Sequence, residues 1–147
     1  MCIRDRPYVI PLAPGHPPLG ALGYVVAAQE IVSQLTATDR AVSEIVVASG
    51  SGHTHAGLLF GLRMLGSSIR VLGICVRRDS GAQALRIQAR CHEIAELLEI
   101  QSLVTDSDIN LRDEFLGPGY GQLNSPTREA IKLGAVSYTH LTLPTKA

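Results

Sequence analysis

Apolar and polar positions recur along the chain with two different periods, and the switches between them mark out the elements. From Leu19 to Leu35 the residues Ala21, Tyr24, Val25, Ala28, Ile31 and Leu35 repeat at the three- and four-residue spacing of one helical face. Gln29, Glu30, Ser33 and Gln34 fall on the other face. Glu44 to Ala48 then has almost no polar alternation, which predicts a strand buried on both faces, as in a parallel sheet. A second helix is predicted from Thr54 to Leu65 with Leu58, Leu59, Leu62 and Leu65 inward, followed by a second buried strand from Ile69 to Val76. The most regular pattern is Ala82 to Leu98, where Ile87, Cys91, Ile94 and Leu98 face the core and Arg86, Arg90, Glu93 and Glu96 stay outside. Weaker signals predict a strand at Tyr8–Leu12, an interrupted strand within Ile109–Leu116 and a short helix over Thr127–Leu133. Polar Asp106, Asp108, Asp113 and Glu114 are expected at the surface.

Strands and helices therefore alternate, which argues for an α/β fold with a parallel sheet and helices on both faces. In such sheets ligands sit beyond the carboxyl ends of the strands. Gly50–Thr54, Arg77–Gly81 and Gly117–Gly121 are all expected along that edge.

Composition narrows the class. The 147 residues carry 13 basic and 13 acidic side chains, so no net charge steers the chain to nucleic acid or a membrane surface. Aromatic residues are 4% and Trp is absent, so the core is aliphatic, as suits layered α/β. No apolar run approaches the roughly 20 residues that span a bilayer. Cys2, Cys75 and Cys91 have no paired spacing, which leaves no disulfide framework or zinc motif and makes a cytoplasmic location the default expectation. Residues 1–6 and 136–147 resemble translated sequencing-adapter read-through and are set aside as non-native ends. The natural part is then 7–135, expected to be a piece of a longer protein.

The chemistry concentrates in Ala48-Ser49-Gly50-Ser51-Gly52-His53-Thr54-His55-Ala56-Gly57. A strand runs into a glycine turn that opens a helix, and the unpartnered N–H groups of that helix, at the positive end of its dipole, suit a phosphate. Three phosphate readings and one bare structural reading compete. A P-loop needs Lys and Ser/Thr after its last glycine, whereas Gly57 is followed by Leu58 and Leu59. A dinucleotide fingerprint wants its third glycine two positions earlier than Gly57, although Arg77-Arg78 after the next strand could meet an NADP 2′-phosphate. A single phosphate monoester, as on pyridoxal 5′-phosphate (PLP), fits consecutive backbone N–H groups flanked by small hydroxyl residues. The fourth reading is a glycine turn that only tightens a corner. His53-x-His55 invites a metal, but no third ligand follows at helical spacing, so the pair is expected to face a phosphate or solvent.

Further motifs decide among these. Together with the glycine turn, Pro18-Leu19-Gly20-Ala21-Leu22-Gly23-Tyr24 and Gly119-Tyr120-Gly121, followed by Pro126-Thr127-x-Glu129-Ala130-Ile131, resemble the D-cysteine desulfhydrase and 1-aminocyclopropane-1-carboxylate (ACC) deaminase family. These are PLP enzymes of the tryptophan-synthase-β-like fold (fold type II). The resemblance covers nearly all of 7–135 and implies part of the PLP-binding large domain, in a C-terminal fragment that lies beyond the catalytic lysine.

It further implies a lyase or deaminase acting on a small amino acid, such as D-cysteine converted to pyruvate, ammonia and sulfide, and a homodimeric full-length parent. By the same likeness Gly50, Ser51, Gly52, His53 and Thr54 hold the cofactor phosphate, and Tyr120 is an active-site tyrosine beside substrate and cofactor ring. The rival from another class is a non-catalytic NADP- or nucleotide-binding Rossmann-like module.

Two departures bear on the site. The family usually has glycine where this chain has His53, so a positive φ there would store about 1–2 kcal/mol. PLP chemistry also requires a Schiff-base lysine, and this sequence offers only Lys132 and Lys146, neither at the family's position. The chain alone is therefore expected to be inactive.

Overall fold

β1 (Glu44–Ser49), β2 (Arg70–Cys75) and β3 (Asn110–Arg112) pair in parallel in the order β1-β2-β3. The computed structural model describes residues 16–117, 119 and 121–137. The strand expected at Tyr8–Leu12 lies outside them. α1 (Leu19–Ala37) precedes β1, α2 (His53–Met64) joins β1 to β2, and α3 (Ser80–Leu97) joins β2 towards β3. A 3₁₀ turn at Asp106–Asp108 comes before β3, and α4 (Ser125–Ser137) follows it. The fold is α/β with a parallel sheet flanked by helices, as the alternating pattern predicts.

The strands' alternation divides the layers. Ile45, Val47 and Ser49 share a face with Val71, Gly73 and Cys75, which are their register partners. Against that face lie α2, whose His55 ring covers Gly73, and α3, whose Gln83 reaches Ser49. On the opposite face the start of α4, at Thr127, lines a cavity with Ile74 and Val76. Farther down that second face Val46 is 60% exposed, which departs from the expectation of burial on both sides. Its apolar run is that of a covered strand, yet none of the described elements covers it.

α2 is the central helix. Leu58, Leu59, Phe60 and Leu62 are buried around it, and Leu65, expected inward, stands just past its end at 46% exposure. α1 lies against α2 along a seam of small residues. A methyl placed at Gly57 would run into the Ala21 carbonyl, and one at Gly61 would come within 2.7 Å of the Ala28 methyl. The bare glycines thus let two helix backbones approach closely, and Ala21 and Ala28 are fully buried in the contact.

Beyond the sheet's amino-terminal edge Arg63 ties loops together. Its guanidinium donates to Asp108 at 2.7 Å and to the carbonyls of Ser67 and Ile69 at 2.8 and 3.0 Å. Asp108 is consequently half-buried rather than at the surface. Its carboxyl is held below the usual range by the Thr105 backbone N–H, Arg63 and the Thr105 hydroxyl, against the opposing effect of burial.

The seam makes a direct test. Gly57→Ala is expected to destabilise the chain by about 1–3 kcal/mol through overpacking, although alanine is the better helix former by about 1 kcal/mol. Gly20→Ala in α1, where none of the described residues lies within 4 Å, is expected to be neutral or stabilising. Urea midpoints of the two variants check this, and an unchanged midpoint for Gly57→Ala would refute the close approach.

Candidate cofactor site

β1 delivers the glycine turn to the carboxyl edge of the sheet. Gly52 takes the strained geometry, φ 90°, and serves as the N-cap of α2. His53 is not among the positive-φ residues, so the strain considered for it does not arise. A glycine directly before it absorbs the turn instead.

Two helices begin along this edge, and their ends differ. At α3 the Asp79 side chain accepts the Ala82 N–H at 2.8 Å, and Asp113 accepts the Ser80 N–H at 2.7 Å. That bond keeps the Asp113 carboxyl below its ordinary range. α2 has no side-chain cap and no acidic residue in its first turn. Its first backbone bond runs from Ala56 N–H to the Gly52 carbonyl at 2.8 Å. Among the described residues, the N–H groups of Ser51, Gly52, Thr54 and His55 find no acceptor, and that of His53 has only the Ser51 hydroxyl at 3.4 Å. Donors of this kind, at the positive end of a 12-residue helix, fit a phosphate.

Behind the turn lies a buried polar knot. Gln83 donates to the Ser49 hydroxyl at 2.9 Å, and that hydroxyl lies 3.2 Å from Nδ1 of His55. His55 is fully buried and its Nε2 has no partner among the described residues. Burial pushes its pKa down to about 4, so the ring is neutral at pH 7. His53 is nine-tenths buried, and its pKa is lowered by desolvation and then by the charges of Arg90 and Arg86, with Glu93 opposing. Neither ring faces solvent, which removes one of the two environments expected for this pair. Both stand where α2 is pressed against its neighbours.

α3 contributes more than its pattern suggested. Arg90, expected outside, is 2% exposed and pairs with Glu93. Arg86 donates to the Ser51 carbonyl at 2.7 Å. Gln83 and Arg90 share the helical face of Ile87 and Ile94, at positions where periodicity alone demands apolar residues. Polar side chains on an apolar stripe are the signal that could have marked them. Of the arginine pair after β2, Arg77 is exposed, while Arg78 donates to the Gly50 carbonyl at 3.0 Å. Cys75 and Cys91 are buried core residues, and burial pushes the Cys91 thiol up to about 12.

Tyr120 lies outside the described residues. Its neighbours Gly119 and Gly121 line a cavity of about 370 Å³ with Ile74, Val76 and Phe115. Val76 also abuts Gly50, where an added methyl would meet it at 3.0 Å. The glycine turn and the described residues Gly119 and Gly121 therefore border the same edge.

A parallel sheet with an uncapped helix start beyond its first strand is the arrangement of an α/β protein suited to a phosphate at that edge. Comparison with known proteins narrows that class. The model of the pyridoxal-phosphate dependent enzymes matches residues 2–145, and the chain belongs to this family. It is 42% identical over 128 residues to a D-cysteine desulfhydrase of Klebsiella pneumoniae (strain 342), and 43% identical over 128 residues to one of Salmonella typhi. Each alignment covers 87% of this chain and 38% of the relative, so the chain spans little more than a third of those proteins. A crystal structure described as an ACC deaminase homologue superposes with a TM-score of 0.69 at 35% identity, over 81% of this chain and 34% of the other. Fold type II is thus the architecture, PLP is the family's cofactor, and the Rossmann-like alternative is not favoured.

His55 gives the site a pH signature. Its pKa is 6.5 in the unfolded chain and about 4 when folded. As pH falls, the unfolded chain takes up the proton first. Stability is full above pH 6.5 and is lost progressively down to about pH 4, by about 3 kcal/mol in all. Urea midpoints followed across this range should fall less for His55→Gln than for wild type. Equal slopes would show that His55 is not buried as a neutral ring.

Proposed function

We propose that this chain carries the phosphate-holding part of the PLP site of a lyase or deaminase acting on a small amino acid. The reading is D-cysteine desulfhydrase-like, with elimination to pyruvate, ammonia and sulfide. The observation that carries it is the contrast at the sheet edge, where α3 is capped by two carboxylates and α2 is left with free donors.

Bound there, PLP would supply an electron sink for bond breaking at the substrate Cα. The chain's own residues have separate tasks in this proposal. The backbone N–H groups of Gly50, Ser51, Gly52, His53 and Thr54 hold the phosphate, with the Ser51 and Thr54 hydroxyls as added donors. The neutral His55 adds no charge beneath the site. Tyr120, next to the cavity-lining Gly119 and Gly121, orients the substrate and holds a proton at its hydroxyl. Lys132 is exposed on α4, and no step is assigned to it. The chain by itself is proposed not to turn over. On family likeness the full-length parent is a cytoplasmic homodimer.

Arg78 argues against an NADP 2′-phosphate site, because its guanidinium already serves the Gly50 carbonyl. The test is amide NMR of the 147-residue chain titrated with pyridoxine 5′-phosphate, which lacks the aldehyde and cannot form imines with Lys132 or Lys146. The Gly50–Thr54 amides are expected to shift at the lowest concentrations, and NADP is expected to leave them in place. Shifts with NADP centred on Arg77 and Arg78 would sink the reading.

A further inference from the structure

Four consecutive carbonyls run through the turn, and each is fastened. The Ser49 carbonyl accepts the Val76 N–H at 3.3 Å, and the Gly52 carbonyl accepts the Ala56 N–H at 2.8 Å. These outer two are backbone bonds. Among the described residues the inner two rest on side chains alone. The Gly50 carbonyl takes Arg78 Nη1 at 3.0 Å and Gln83 Nε2 at 3.3 Å, and the Ser51 carbonyl takes Arg86 Nε at 2.7 Å.

The peptide bonds here are trans, so each N–H points opposite to the carbonyl of the residue before it. Drawing the Gly50 carbonyl towards Gln83 turns the Ser51 N–H away from α3. Drawing the Ser51 carbonyl towards Arg86 does the same to the Gly52 N–H. A Gly-Ser-Gly segment has little steric preference of its own for these orientations. Released, the two peptide planes could rotate and set carbonyl oxygens where an anion has to sit.

We propose that Arg86, assisted by Gln83 and Arg78, is a positioning residue for the phosphate turn: it holds the Ser51 carbonyl so that the adjoining N–H groups face the anion. This rests on the proposed reading of Gly50–Thr54 as a phosphate site. Arg86 acts through the backbone and is assigned no contact with the ligand. Pre-set donors need no reorganisation on binding, which is how such a clamp raises affinity. The surrounding charge has the matching sign. Arg77, Arg78, Arg86 and Arg90 lie close enough that the other three, after burial, lower the Arg86 pKa, and Glu93 opposes them. Glu93 is itself paired with Arg90.

The test compares wild type, Arg86→Met and Arg86→Lys in the 147-residue chain. NMR titration measures binding of pyridoxine 5′-phosphate against pyridoxine, and thermal melts check that each variant folds. Arg86 is only half-buried, so both variants should remain folded. Arg86→Met is expected to weaken the phosphate ester by about tenfold, the scale of one charge-assisted hydrogen bond, and to leave pyridoxine unchanged. It should also shift the Ser51 and Gly52 amide signals before any ligand is added. Arg86→Lys retains the charge but lacks the Nε donor, so it should weaken binding as Arg86→Met does.

Binding by Arg86→Lys at the wild-type level would reduce the role to charge and overturn the positioning proposal. So would an Arg86→Met chain that discriminates between the two ligands as well as wild type. A wild-type chain holding both ligands equally would overturn the phosphate reading, and the positioning role with it. Gln83→Glu, which replaces the amide donor with an acceptor, provides a second variant and is expected to weaken the phosphate ester in the same sense.

Discussion

The hydroxyl of Ser49 is the point on which this structure turns. It closes β1, meets the His55 ring of α2 and accepts the amide of Gln83 on α3, so one buried atom joins three elements where the glycine turn begins. Buried polar groups must be paired, and in a low-dielectric interior a satisfied network fixes geometry more tightly than apolar contact does. The turn inherits that fixity. Its neighbouring carbonyls are drawn back by Gln83, Arg78 and Arg86, while the start of α2 is left open. The knot also has a cost, since among the described residues His55 Nε2 has no partner and the ring must stay neutral.

Much of this fold was legible because each element obeys a single period. α1 and β1, expected over Leu19–Leu35 and Glu44–Ala48, occur at Leu19–Ala37 and Glu44–Ser49. Where two demands met, the pattern misled. Arg90 looked like surface because arginine is usually solvated, but its position belongs to the buried stripe of Ile87 and Ile94, and the partly exposed Glu93 pairs with it. β3 ends at Arg112 because the polar residues after it serve other tasks: Asp113 caps α3, and Glu114 pairs with Arg112 at 3.0 Å. The glycine turn was found from residue types alone. The clamp behind it was not, because carbonyl–side-chain bonds 28 to 35 residues apart have no sequence period.

Val46 shows a second kind of limit. A run of β-branched residues reads as a strand covered on both sides, yet Val46 and Ala48 lie open on the face away from α2 and α3. The composition of a strand records the environment in which it evolved, and among the described residues nothing lies over Val46 and Ala48. Family membership rests on residues 2–145 as a whole and does not depend on how that face is covered.

The glycines of the motif belong to two different structures. Gly50 and Gly52 form the turn, whereas Gly57 is pressed against the Ala21 carbonyl, four residues before Gly61 meets Ala28. The interval from the second glycine to the third is thus a ruler for where α1 crosses α2, and says nothing of what is bound. A third glycine that sits late for a dinucleotide is on time for a helix crossing.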